Sequence, residues 1–381
     1  MLSTRVFGLF LAGIAVAAGP LACSGGDGSG TTTDDAGAGV DAGGLDGGGG
    51  GLDGGGGSDS AAPATLTWAA GAITGDGAAN VGGISAMAFG GGKFVAFATA
   101  ARGAVDNNGY ALTSTDGKAW TVAQKYALNS TMRSIAYTGT GFFATGLSPD
   151  GAGGRKAVYA FSRDGSTWTF KDAPAAGTNA IAATAALITW GGEEGKTTTL
   201  ETATPVAKGT DPLPITIYSM CAVGDRFLAS GQILPSKPAT SPLFYYSDGP
   251  KTGPWTAGKD PNPVAREASR ILDLYCDATE QIAVGAGREV FRSTDRGATW
   301  TDVGGPGDST TWNGVEKANG KVVLVGWKGV YGVLGSGGLL TGNLGSGLDF
   351  GPSASNGTIV VAASGGTYND GVNGVIRWTS P

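Results

Sequence analysis

From Ile84 onward the chain alternates short apolar runs with Gly- and Asp-containing turns. "ISAMAFGGGKFVAFATA" (Ile84–Ala100), "RSIAYTGTGFFATG" (Arg133–Gly146) and "LDLYCDATEQIAVGA" (Leu272–Ala286) share one order: apolar stretch, turn, second apolar stretch. A variable loop follows, then a third stretch ending in Ser-x-Asp, then a Trp that opens a short fourth. The runs are rich in Val, Ile, Phe, Tyr and Thr and are bounded by Gly, Asp and Asn, which predicts strands. No segment sustains a helical period. Units of this kind begin near residues 84, 134, 181, 217, 271, 312 and 353. Four strands in each ~45-residue repeat describe a β-propeller blade.

The last unit has only three strands and ends in "GVIRWTSP". Its fourth is supplied by "ATLTWAAG" (Ala64–Gly71), with Trp68 in the place that Trp holds in the other fourth strands. An N-terminal strand completing the last blade shuts the ring and protects its edges. The expectation is an all-β fold: a seven-bladed β-propeller of four-stranded blades, closed by the N-terminal strand. Six and eight blades are the alternatives, because the third and sixth units are weakly marked.

The stretches between third and fourth strands are "STDGKAW" (Ser114–Trp120), "SRDGSTW" (Ser162–Trp168), "YSDGPKTGPW" (Tyr246–Trp255) and "STDRGATW" (Ser293–Trp300). Their Trp residues are 48, 87 and 45 apart, so one degenerate copy is expected near residue 211. Ser and Asp side chains bond a turn's own backbone, Gly supplies a positive φ, and Trp buries a large ring. The stretches resemble the Asp-box, or BNR repeat, of sialidases and many other secreted propellers. "STDRGATW" meets Ser-x-Asp-x-Gly-x-x-Trp throughout, two copies are one residue shorter, and one carries an insertion. The resemblance implies a turn away from the ligand face. Ser114, Asp116 and Trp120, Ser162, Asp164 and Trp168, Asp248 and Trp255, and Ser293, Asp295, Gly297 and Trp300 are therefore expected to build turns, not to act as acids or calcium ligands.

The first 23 residues hold Arg5, an apolar run from Val6 to Ala18, the breakers Gly19 and Pro20, and Cys23. The run is shorter than the ~20 residues that span a membrane, and it reads as an export signal. The Cys resembles the lipidation site of a bacterial lipoprotein signal, although Pro20 stands where that family favours Leu. An ordinary secretory signal is the alternative. Ser24, where Asp could stand, is more like lipoproteins sent to the outer membrane. Residues 24–62 are Gly- and Asp-rich with almost nothing to bury, which predicts a disordered tether; the propeller is assigned to 63–381. Two "LDGGGG" units lack the apolar position of calcium-binding β-roll repeats.

Composition narrows the chemistry. The net charge is −6 and no Lys/Arg run exists, which argues against a nucleic-acid partner. There is no His among 381 residues. This removes His-based nucleophile systems and, with only three Cys, makes a zinc site improbable. No cofactor or metal is expected. Cys221 and Cys276 fall at the same place in adjacent units, and a disulfide between them is expected in an oxidising compartment; two buried thiols are the alternative. Sialidase chemistry implies three Arg, a Tyr–Glu nucleophile and an Asp acid. The Phe/Tyr-Arg-Ile-Pro motif is absent, since Arg270-Ile271 is followed by Leu272. Arg133, Arg270 and Trp312, aligned just before the first strand of their blades, are the candidate ligand-face residues; Arg beside aromatics suits anionic or sugar-like ligands.

The function expected is that of a non-catalytic binding or scaffolding propeller for an unidentified protein or glycan, held to the membrane of the cell envelope by a lipid anchor. A sialidase-like exo-glycosidase and an assembly factor for a membrane complex, similar to propellers that assist photosystem assembly, are the alternatives.

Overall fold

The computed structural model describes residues 65–381, except 102–103, 105–107, 127–129, 153, 174–176, 202–207, 210–211, 250–253, 262–268, 305–309, 337, 345–346 and 365–373. The signal, Cys23, the tether and the degenerate copy near residue 211 lie outside the described residues.

The strands form seven sheets, each built on four antiparallel strands and following the last along the chain. The blades' inner strands are Val81–Gly90, Thr131–Tyr137, Ala180–Ala183, Ile215–Val223, Ile271–Cys276, Trp312–Ala318 and Phe350–Ser355. Each inner strand packs against the inner strand of the next blade, and the seventh packs against the first. The fold is a seven-bladed β-propeller.

Closure uses the N-terminus. Ala69 and Ala70 pair with Trp378 and Arg377 and become the outer strand of blade 7. Trp68 packs on Tyr331 of blade 6 with ring centroids 5.9 Å apart. One addition was not foreseen. Residues Ala72–Thr74 continue onto blade 1 as a fifth strand, parallel to Ala119–Thr121. One short segment therefore covers the outer edges of both the last blade and the first.

The core lies between blades rather than at the centre of the molecule. Phe97 of blade 1, for example, is buried against Met132, Phe142 and Trp168 of blade 2. Cys221 of blade 4 and Cys276 of blade 5 form a disulfide with Cα atoms 6.0 Å apart.

Candidate functional site

The two ends of the ring are built differently. At one end lie the turns joining first to second strands and third to fourth strands. Here Ser114 Oγ accepts from Gly117 N (2.8 Å) and donates to Asp116 Oδ1 (3.0 Å). The same carboxylate oxygen accepts from Lys118 N and Ala119 N at 2.8 and 2.9 Å, and Trp120 Nε1 donates to Gly117 O at 3.0 Å. Ser162, Asp164 and Trp168 repeat this set, as do Ser293, Asp295 and Trp300. Gly117, Gly165 and Gly297 have φ of 71°, 73° and 82°, and a Cβ on any of them meets the neighbouring blade's Val361, Val95 or Leu228 within 2.7 Å. Backbone N–H donors hold Asp116 and Asp164 below the ordinary carboxylate pKa. Asp295 is also lowered: burial works against its charge, but bonds from Thr299 and Ser293 outweigh it. All three are thus ionised hydrogen-bond acceptors whose bonds fold their own turns.

The extra residue of "STDRGATW" is Arg296, at φ 60°. Its guanidinium crosses to blade 4 and bonds Asp225 (2.6 Å) and Val223 O (2.9 Å). Asp248 departs from the turn pattern. It directly follows Ser247, and its carboxylate takes a two-pronged bond from Arg226 at 2.5 and 2.7 Å. Trp255 is half-buried between blades 3 and 4, and its Nε1 has no acceptor among the described residues.

The axis holds a cavity of about 1560 Å³ lined by all seven blades. Its shape follows from a shared irregularity. In blades 1, 2, 4, 5 and 6 the first ladder skips one residue, leaving Ser85, Arg133, Tyr218, Leu272 and Asn313 unpaired between paired neighbours. Such a bulge re-aims the strand, and all five residues line the cavity.

The bulge corrects the sequence alignment. Arg133 lies in the bulge, where its guanidinium bonds Asn179 of blade 3. Arg270 lies two residues before the bulge of its blade, exposed at the cavity rim. Trp312 does not face the ligand side. It is 1 % exposed, pairs with Gly326 and sits in the core between blades 5 and 6. Asn313, one residue later, takes the axial place. A residue shift of one swaps the faces of a strand, so the bulge decides which side chain reaches the axis.

Just beyond the bulge runs a belt of contacts. Ser134 Oγ accepts from Ile181 N of the next blade (3.2 Å), and Ser219 Oγ accepts from Leu274 N of the next (3.0 Å). Blade 5 places an acid in this role: Asp273 Oδ2 accepts from Val315 N of blade 6 (3.0 Å), while Oδ1 accepts from Leu274 N (2.9 Å) and from Ser219 Oγ (3.1 Å). Burial raises the Asp273 pKa to about 6, although those three donors work against the shift. Glu316 lies two residues past the same belt position in blade 6. Its pKa is raised well above the ordinary value, first by burial and then by the charge of Asp273.

The pH dependence of stability follows from these signs. Asp273 titrates near 3.8 unfolded and near 6 folded, so folding takes up a proton between those values. Stability is expected to fall by ~2 kcal/mol as pH rises from 4 to 6, allowing for solvent screening of the full shift. Asp116, Asp164 and Asp295 have the opposite sign, and their contribution is lost as pH falls below the ordinary carboxylate range. Urea unfolding across pH 3–7 should thus show a maximum near pH 4, and Asp273→Ser should flatten the descending arm.

At the end opposite the Ser-x-Asp turns, the cavity mouth carries Trp327, a residue the sequence reading passed over. It begins a tight turn between the second and third strands of blade 6, with Lys328 at φ 54°. Trp327 N donates to Thr311 O, and Lys328 N donates to Asp349 Oδ1 at 2.9 Å, which ties the turn to blades 6 and 7. The indole is 51 % exposed. Glu193 and Ala286 begin the matching turns of blades 3 and 5, and both line the mouth. No group of three or more His, Cys, Asp or Glu among the described residues could hold a metal.

No protein-family model matches the chain, and no curated protein matches it. A solved structure, YCF48 from Cyanidioschyzon merolae, is similar with a TM-score of 0.52 at 14% identity, covering 82% of this chain and 98% of that one. The likeness is one of fold: this chain and YCF48 share the β-propeller.

Proposed function

We propose that the protein is a binding or scaffolding propeller of the cell envelope that takes its ligand at the axial mouth marked by Trp327. The observation that carries this reading is the exposed indole at the rim of a cavity that passes between all seven blades. A large exposed apolar side chain held on a strained turn is costly to keep unless it meets a partner, and Trp is prominent among residues that dominate binding energies. The opposite end is occupied by turn-building Asp residues and inter-blade ion pairs. The export signal, lipidation at Cys23 and the Gly-rich tether, read from the sequence, set this module on a membrane-anchored leash. The exo-glycosidase reading has one supporting observation, the two axial carboxylates with raised pKa values, a pattern that acid–base sites share. Against it, Asp273 has both oxygens committed to the belt. The likeness to YCF48, being one of fold, does not choose between a glycan, a protein or a membrane complex as the partner.

The test is a glycan array and a fluorogenic-glycoside screen run together on the full chain and on Trp327→Ala. Binding without turnover, weakened ~10-fold or more by Trp327→Ala, is the expected result. Turnover of any glycoside overturns the non-catalytic reading. Silence in both removes glycans and directs the search to protein partners with the same variant as control.

A further inference from the structure

One long outer edge of the ring is left open. An outer strand presents a row of backbone N–H and C=O groups that another strand can take. Blades 3, 4, 5 and 7 keep that row to two residues: Lys208–Gly209, Thr256–Ala257, Thr301–Asp302 and Ala69–Ala70. The outer strand of blade 2, Thr169–Asp172, carries the charges of Lys171 and Asp172. Blade 1 has a long outer strand, Ala119–Tyr126, but Ala72–Thr74 is laid along it and Asp76 pairs with Lys125 (3.0 Å). The outer strand of blade 6, Gly338–Asn343, has six residues, and no strand lies beyond it among the described residues.

Three features of this edge point the same way. Leu344 N donates to Gly329 O, and hydrogen-bonded pairs alternate along an antiparallel ladder, so Leu339 and Thr341 turn their N–H and C=O groups outward. Leu340, between them, is 41 % exposed; with Trp327 it makes up the exposed large hydrophobic side chains among the described residues. Gly338 and Gly342 flank it on its own face. No residue from 329 to 348 is charged, although 15% of the chain is. Natural edges are blunted by shortness, charge, Pro or a cover, and this one has none of these.

We infer that the edge is an interface between two copies of the chain, paired antiparallel about a two-fold axis at Leu340. In that register Leu339 lies opposite Thr341 of the second copy and exchanges both backbone bonds with it, and Thr341 does the same with Leu339 of the second copy. The bonds fall on the two residues whose groups face outward. Leu340 takes the non-hydrogen-bonded place opposite its own mate, where side chains come closest, and the flanking glycines leave room for both. The missing charge selects the occupant. A two-fold axis sets residues near it against themselves, so any charge here would meet its like. An edge built for a foreign strand has no such constraint and can use charge to choose its partner. Paired copies carry two axial mouths, so a ligand repeated on a surface is held at both.

The experiment is sedimentation velocity of the full chain from about 5 to 500 µM, with amide hydrogen exchange read at Leu339 and Thr341 over the same range. The inference expects a monomer–dimer equilibrium, with protection of both amides rising as the dimer forms. Leu340→Lys replaces an exposed side chain and is expected to fold, which an unchanged melting curve checks. It should weaken the dimer about tenfold or more. Leu340→Glu should do the same, and an equimolar mixture of the two variants should pair again, a rescue that damaged folding cannot imitate. A monomer at every concentration overturns the inference: amides protected even so would mean that the chain's own residues ahead of Thr65 cover the edge, and freely exchanging amides would mean that it stays open. A dimer that Leu340→Lys leaves intact places the interface elsewhere and overturns it as well.

Discussion

A chain that begins at Asp76 is expected to lose most of its stability. Removing the preceding residues takes the outer strand from blade 7 and the parallel fifth strand from blade 1 at once. It also strips three apolar side chains from the inter-blade packing: Leu66, 8 % exposed, and the partly buried Trp68 and Ile73. Full burial of such a side chain is worth roughly 1.5–3 kcal/mol; with two of the three partly buried, their loss is about 3–5 kcal/mol, to which the lost ladder bonds add, against a total of ~5–15 kcal/mol for a folded domain. The cut also exposes the Trp378 and Arg377 backbone as an open edge that invites aggregation. Thermal unfolding of the truncated chain should show a lowered, broadened transition. A synthetic peptide of residues 64–75 added in trans should restore part of it. An unchanged melting curve would mean that the ring is held without its closing strand.

Trp120→Ala should cost ~3–5 kcal/mol, the range for removing a fully buried aromatic side chain. Trp120 is 0 % exposed and packs on Phe94 and on Ile359 and Val361 of blade 7, while its Nε1 donates to Gly117 O. The substitution opens a void between the first and last blades, next to the seam that the N-terminus closes. Asp116→Asn is the informative companion. The amide oxygen can still accept from Lys118 N and Ala119 N, so its cost should be small, while Asp116→Ala leaves those N–H groups and Ser114 Oγ without an acceptor and should cost ~1–2 kcal/mol. Chemical denaturation of the three variants gives the order directly. A large loss in Asp116→Asn would show that the charge itself matters, against a turn-building role.

Much of the architecture could be read from the sequence because the repeat marks both ends of each blade. The expected unit starts fall within a few residues of the observed inner strands, and the short N-terminal strand was legible as the missing fourth strand of the last unit. The parallel strand Ala72–Thr74 was not, since three residues with one apolar position carry no period. The axial residues were hidden for another reason. Alternation is a reliable guide to side-chain direction only while the ladder is regular, and the inner strands bulge just where they approach the axis. That is why Trp312 was aligned with Arg133 while Asn313 holds the equivalent place, and why nothing in "ILDLYC" singles out Asp273. Aligning the blades on the residue after the bulge would have exposed it as the acid in a row that includes Ser134 and Ser219. Trp327 was legible in one respect: "GWKG" between two apolar runs puts an aromatic residue on a tight turn, where it has little to pack against.

The most direct test of where this protein works is hydroxyl-radical footprinting of the full chain with and without the ligand found by the binding screen. Trp327 is expected to lose reactivity on binding, together with the rim residues around Arg270, while Trp378 and the turns at Asp116, Asp164 and Asp295 keep theirs. Protection of those Asp turns with Trp327 unchanged would place the ligand on the opposite face and contradict the account.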